Sequence, residues 1–318
     1  MNAGALMALV AEGEQDMWKY KGTILDHEHL FDTRLVRLER SHQVVYAKLD
    51  VKKEINLNNT SIIFNINKGS YNFINMMDLV LHDDNCNVIK RIDVQVDNVL
   101  VDTLCCHDIA TQIQTNCTIF GRKLNTINGK TFIPLVMAPF HDNNIGCTDL
   151  QEFKIIVTFH KPYIQSAELY GNHYYHRRNR KLTYGFPEYF SIRNQYQSIG
   201  LWGNNMRLRF DDSVYMMYFW GFDKSKVIKI TLRLNGHDYY DGPIEPIEHI
   251  KKSKGYDCEP CMFFFSHNTY DKPMYSTINF SRIDYAALYI QTTEENQMDM
   301  TVHVVALSLT KVLHILST

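Results

Sequence analysis

The sequence predicts an all-β protein made of two consecutive antiparallel sandwiches on one chain. Three observations point there. The chain holds 19 Tyr and 17 Phe beside 8 Pro, with Val, Ile and Thr frequent throughout, and this composition favours pleated sheet over helix. From about Gln43 onward, short runs with an apolar–polar period of two are broken repeatedly by turn residues, the spacing of a sandwich or barrel. The runs also recur in order. Arg91–Asn98 matches Lys229–Gly236 (229 − 91 = 138), Thr60–Asn65 matches Asn205–Phe210 (205 − 60 = 145), and Lys154–Phe159 matches Thr301–Ala306 (301 − 154 = 147). Similar offsets in the same order suggest a duplicated unit.

A chain of 318 residues can bury one large core or two modest ones. With 45% hydrophobic and 21% charged residues it is not globally disordered, and a net charge of −2 gives no global pull toward nucleic acid or anionic membrane. Seven cysteines at irregular spacing make a poor disulfide framework and suit a reducing compartment. Met1–Ala11 is apolar but lacks a basic n-region and is too short to span a bilayer. The sequons at Asn58, Asn59, Asn116 and Asn279 therefore read as chance matches.

Taken in order, residues 1–30 read as an N-terminal arm, with the apolar run Ala3–Ala11 (Leu6, Leu9 and Val10 within it) leading into the acidic turn Glu12–Asp16. Residues 31–162 read as the first sandwich. Val44–Val51 sets Tyr46 and Lys48 against Val45, Ala47, Leu49 and Val51, and Ser61–Asn67, Asn75–Leu81, Ile92–Val96, Thr131–Leu135 and Phe153–Phe159 follow as strands. Residues 163–200 break the rhythm and read as a bridging segment. The second sandwich, 201–310, begins with Met206–Phe210 and Val214–Phe222. Ile228–Leu234 then carries four aliphatics on one face and ends at Asn235-Gly236, the strongest short-range hairpin signal in the chain. Asp241-Gly242-Pro243 and Glu245–Gly255 read as a polar loop. Met262–Phe265, Leu288–Ile290 and Thr301–Leu307 complete the series, and 311–318 is a C-terminal tail. Thr277–Ile290 runs from a polar cluster into apolar strand formers, so Asn279, Phe280, Ser281, Arg282 and Asp284 are expected to build a corner, with the Arg282 guanidinium hydrogen-bonded where it is buried or half-buried.

Little in the chain suggests catalysis. There is no phosphate-cradling loop, dinucleotide fingerprint, nucleophile elbow or zincin helix. Cys258-Glu259-Pro260-Cys261 has the spacing of half a zinc site or a redox pair, but no second pair matches it, so loop thiols are the simpler reading. Adjacent residues in Asp26-His27-Glu28-His29 would splay apart in strand or coil. Arg177–Lys181, with Tyr174, Tyr175 and Tyr184 around it, is a solvated loop between domains or a phosphate contact with genome or lipid. Met216–Trp220 reads as core. No cofactor and no metal are expected.

Asn279-Phe280-Ser281-Arg282-Ile283-Asp284 resembles a string in the major capsid proteins of nucleocytoplasmic large DNA viruses, where it lies in the second of two jelly rolls. Three further stretches match in order: Gly4–Asp16, Phe132–Leu135 with Pro139-Phe140 and the strand to Phe159, and Leu234-Asn235-Gly236. The chain departs from that family in having Pro273-Met274-Tyr275-Ser276 before the string, in its short tail, and in its length. The resemblance implies a double jelly roll of two eight-stranded antiparallel sandwiches and a role in assembly rather than catalysis. It implies a homotrimeric, pseudo-hexameric capsomer that meets neighbouring trimers and minor capsid or penton proteins to tile an icosahedral shell. The virion would be assembled in the host cytoplasm. The arm, through Leu6, Leu9 and Val10, would anchor at the inner face near an internal membrane. A scaffold that moulds the immature virion membrane is an alternative, and a lectin- or cupin-like binding protein is another. Direct contact with nucleic acid is left open.

Overall fold

The computed structural model describes residues 42–56, 60–67, 73–82, 86–96, 98–105, 108–137, 145–146, 152–163, 166–176, 190–200, 205–265, 277–293 and 301–311. The arm with Leu6, Leu9 and Val10, the basic run 177–181 and tail residues 312–318 lie outside these. Among the described residues the chain divides into two units, 42–193 with 310–311 and 194–309, and a strand that crosses a boundary belongs to the unit whose sheet it joins.

The first unit contains β1 (His42–Lys48), β2 (Lys52–Asn56), β3 (Ser61–Asn67), β4 (Phe73–Leu81), β5 (Ile89–Val96), β6 (Val99–Leu104), α1 (Ile109–Ile119), β7 (Asn125–Ile127), β8 (Lys130–Pro134), β9 (Ile145–Gly146), β10 (Glu152–Phe159) and β11 (Glu168–His176). One sheet runs β1-β11-β4-β8-β7 with β9 on β4, and the other β2-β3-β10-β5-β6. The second unit contains β12 (Phe190–Gly200), β13 (Asn205–Leu208), β14 (Ser213–Trp220), β15 (Val227–Leu234), β16 (His237–Gly242), α2 (Glu245–Ser253), β17 (Cys261–Phe264), β18 (Ile278–Asn279), β19 (Ala286–Thr292) and β20 (Thr301–Lys311). Its sheets run β12-β20-β14-β17, with β18 on β14, and β13-β19-β15-β16.

Set aside the ribbons β2, β7, β9 and β18, and the two units have one topology. In each, the first, eighth, third and sixth strands form one sheet, and the second, seventh, fourth and fifth form the other. That is a jelly roll, with a helix between the fifth and sixth strands both times. Alternate residues from both sheets fill the second core: Val214, Met217, Phe219, Val302, Val304 and Ala306 from one, Met206, Ile230, Leu232, Leu234, Leu288 and Ile290 from the other. Every residue of β14 is buried, so Met216–Trp220 is core as its composition suggests.

Irregularities repeat as well as strands. Opposite β10, strand β5 skips Lys90; opposite β19, strand β15 skips Ile228, and 228 − 90 = 138. Val101 of β6 and Tyr239 of β16 are skipped against β5 and β15, again 239 − 101 = 138. Residues 76–77 of β4 and residue 215 of β14 bulge at the matching place on the third strand. A bulge adds one residue to one strand and bends it, so bulges kept at one offset record the same local twist in both units. A cross-strand bond is shared too: Thr103 Oγ1 donates to Asp93 at 2.6 Å, and Thr231 Oγ1 donates to Asp241 at 2.6 Å, with the roles of the two strands exchanged.

Several expectations change. Residues 163–200 contain β11, which lies between β1 and β4, and β12, an edge strand beside β20. Their alternation is hidden by polar and aromatic residues. Lys154–Phe159 lies in β10, whose counterpart is β19; Thr301–Ala306 lies in β20, the counterpart of β11. Two buried strands look alike in period, and only pairing separates them. The loop expected at Glu245–Gly255 is mostly α2, which opens with Glu245 and Glu248, has Pro246 in its first turn and ends with Lys251 and Lys252. These charges suit the helix dipole, and Ile244, Ile247 and Ile250 recur every three residues on its covered side, but a helix of nine residues leaves too short a stretch for that period to stand out from a polar loop. Ile228, the first of the four aliphatics, is 49% exposed because the bulge turns it out.

Candidate assembly surface

One end of the second unit gathers residues far apart in sequence. The hairpin joining β15 and β16 turns on Asn235 and Gly236, at φ 48° and 81°. Two positive values in a two-residue loop match the right-handed twist of the flanking strands. The Asn235 backbone N–H donates to the Tyr285 carbonyl at 2.7 Å, and its side-chain Oδ1 accepts from the Tyr285 N–H at 3.1 Å. The Asn-Gly turn is thus tied to Tyr285, the residue that follows the Asn279–Asp284 string.

That string is itself a tight corner. Asn279 caps a 3-10 turn over Phe280–Arg282, its Oδ1 accepting from the Ser281 N–H at 3.1 Å. Phe280 is the buried anchor, 3% exposed, with its ring 5.9 Å from that of Phe210 and 5.8 Å from that of Phe265. The corner also grips the bend between β13 and β14. Asp212 N–H donates to Ser281 Oγ at 2.8 Å, and Phe280 N–H donates to the Asp212 carbonyl at 2.8 Å. Asp212 has φ 63°, a conformation that Asp tolerates better than most residues.

Arg282 is placed otherwise than its neighbours suggest. It is exposed, as are Ser281 and Asp284, and the Asn279 and Ser281 side chains serve backbone N–H groups instead of its guanidinium. The physical reason is economy of bonding: a 3-10 corner leaves backbone donors that short polar side chains satisfy first. Beside the corner, the outward face of β19, β15 and β13 carries Tyr285 and Tyr289, whose hydroxyls are 3.2 Å apart. Arg207 stacks over the Tyr285 ring at 5.8 Å and Arg233 over Tyr289 at 5.6 Å. The Tyr285 hydroxyl beside it, with burial second, pushes the Tyr289 phenol above its usual value. Sequence reasoning missed this face, because its residues belong to three strands with no shared spacing.

Two other clusters are structural. Lys251, 2% exposed, donates to the Cys258 carbonyl at 2.7 Å and the Pro260 carbonyl at 3.1 Å, and pairs with Glu248 at 2.7 Å. Lys224 reaches Glu248 at 2.8 Å and the Glu259 carbonyl, and Cys261 Sγ donates to Glu248 at 3.2 Å. Burial raises the Glu248 carboxyl, but the hydrogen bonds from Lys224, Lys251 and Cys261 outweigh it and hold the group below the usual range. Burial pushes the Cys258 thiol up to about 11 and Cys261 to about 12, the reverse of what thiolate chemistry needs. Among the described residues no group of three His, Cys, Asp or Glu could hold a metal ion. In the first unit, a cleft of about 480 Å³ is lined by Lys48, Lys53, Phe64, Glu168 and neighbours. Of its two carboxylates, Asp50 and Glu168, the latter is already engaged, with Lys48 at 2.6 Å and Lys130 at 3.6 Å.

No family model and no curated protein matches the sequence. Solved structures do. The chain superposes on the capsid protein in a quasi-atomic model of the PBCV-1 virus capsid with a TM-score of 0.64 and 10% identity, covering 84% of this chain and 93% of that one. The Faustovirus major capsid protein gives 0.60 and 10%, over 98% of both chains. The major capsid protein P2 of bacteriophage PM2 gives 0.55 and 12%, over 85% and 97%. With both sandwiches covered and the strand order repeated between them, the chain has the double jelly-roll fold of these viral major capsid proteins.

Proposed function

We propose that this chain is a viral major capsid protein that trimerises into a pseudo-hexameric capsomer and tiles an icosahedral shell, with no catalytic role. The observation that carries this reading is the pair of like-wound sandwiches on one chain, matched along nearly their full length by major capsid proteins. Three such chains present six near-equivalent blocks, and a head-to-tail ring of three closes on itself instead of growing into a filament. Loops at the ends of the sandwiches can vary without disturbing the cores. The partners are further copies of the chain, then minor capsid or penton proteins, with the virion as its location and the host cytoplasm as the place of assembly. The arm, through Leu6, Leu9 and Val10, fastens trimers to what lies beneath them, an internal membrane included.

Light scattering on purified protein tests the reading. The expected particle has three times the 37.2 kDa chain mass, with a hexagonal outline by negative stain. A monomer at micromolar concentration in native buffer overturns it.

A further inference from the structure

We propose that the exposed corner formed by Arg207, Arg209, Asp211, Arg282 and Asp284 docks on the same corner of a second copy of this chain, across a two-fold contact between neighbouring trimers. The proposal rests on the assembly reading above and names a surface that serves it. All five residues are exposed. They are brought together by the bonds of Asp212 to Ser281 and Phe280, and by Arg207, which donates to the Asp284 carbonyl at 3.5 Å. Among the described residues none of the five has an oppositely charged group within 4.0 Å. On the neighbouring strands of the same sheet the charges are paired, Arg233 with Asp238 at 2.6 Å and Lys229 with Asp241 at 2.8 Å.

Charges of both signs in one corner, none in an ion pair among the described residues, point to the kind of partner. A polyanion such as nucleic acid, or an anionic lipid surface, would satisfy the arginines and be repelled by Asp211 and Asp284. A second copy of the corner, turned through a two-fold axis, sets an arginine of one chain against an aspartate of the other and repeats that pair in reverse. The corner is also stiff. Asn279 and Ser281 side chains fix its backbone, Phe280 anchors it, and Asn235 ties it to the adjoining hairpin, so little freedom is lost on docking. Beside it, Tyr285 and Tyr289 under Arg207 and Arg233 supply the residue types that carry most interface energy.

Charge exchange tests this. Arg282→Glu, Asp284→Arg and the double variant are compared with the parent chain by light scattering for trimer mass, melting temperature for folding, and negative stain for shell formation. Each single variant is expected to remain a folded trimer and to lose shell yield by about tenfold or more, because like charges then face each other across the contact. The double variant restores facing opposites and should recover most of the yield. Arg209→Glu with Asp211→Arg provides an independent pair should either first single fail to fold. Singles that assemble as well as the parent, or doubles no better than their singles, overturn the contact. Singles that fall to monomers, with doubles restoring the trimer, overturn the two-fold assignment and place the surface inside the trimer. A parent chain that forms no trimer at all removes the assembly reading itself.

Discussion

Asn235 joins two stretches about fifty residues apart, and it does so with backbone and side chain at once. Replacing it with Ala removes the acceptor for the Tyr285 N–H and forces a Cβ residue without a polar side chain into φ 48°. Losing the bond costs about 1 kcal/mol and the left-handed backbone about 1–2 kcal/mol. Asn235→Ala should therefore lower denaturant stability by about 2–3 kcal/mol. Arg282→Ala is the contrast. Its exposure puts it among surface substitutions, within about 0.5 kcal/mol of neutral, so an unchanged melting temperature for the purified protein is expected. A clear loss would show that Arg282 braces the corner after all. Both residues stand in equally suggestive strings, yet only one is structural. Turn chemistry is local and can be read from neighbours, whereas the partner of a long flexible arginine is set by whatever surrounds it.

At the scale of elements, close approaches and buried charges decide. Gly221, just past β14, has φ 101°, and a Cβ there would lie 2.3 Å from the Thr301 carbonyl oxygen at the start of β20. Gly221→Ala should destabilise the second unit by about 1–3 kcal/mol from backbone strain alone, with the clash added. Thermal unfolding that matches the parent would show that β20 can shift. Around α2, the Glu248 carboxyl is held below its usual range. A depressed carboxylate stabilises the fold above its unfolded pKa, about 4.3 for Glu, and that stability is lost as pH falls through the lower folded value. Urea unfolding from pH 7 down to 3 should show a steepening acid loss that is shallower in Glu248→Gln. Identical slopes would mean that Lys224 and Lys251 gain nothing from the carboxylate. The same cluster explains why a Lys can be buried at position 251: its ammonium closes the loop at Cys258–Pro260 through two carbonyls.

For the whole molecule, assembly is the property to test. Residues 1–24 carry an apolar run with no alternating partner strand in the sequence, which fits an anchor better than a sandwich strand. On the assembly proposed above, deleting them should leave the parent's oligomeric mass and melting temperature nearly unchanged while shell formation is lost or loosened. A truncated chain that emerges monomeric or aggregated would make the arm part of the fold.

The all-β class, the strands Ser61–Asn67, Ile92–Val96 and Phe153–Phe159, the Asn235-Gly236 turn and the match of Arg91–Asn98 to Lys229–Gly236 were legible in the sequence alone. Each depends on period, on turn residues or on a local copy of both, and these act over a few neighbouring positions. The tertiary structure alone decided which strands are counterparts, moving Thr301–Ala306 from β10 to β11 as its equivalent. It likewise turned Ile228 out of the core through a bulge, made a helix of Glu245–Ser253, and joined the corner at Asn279–Asp284 to Asn235 while leaving Arg282 in solvent. Pairing, bulge position and side-chain exposure depend on contacts between residues remote in the chain, and the two-residue period of a strand is the same whichever neighbour it meets.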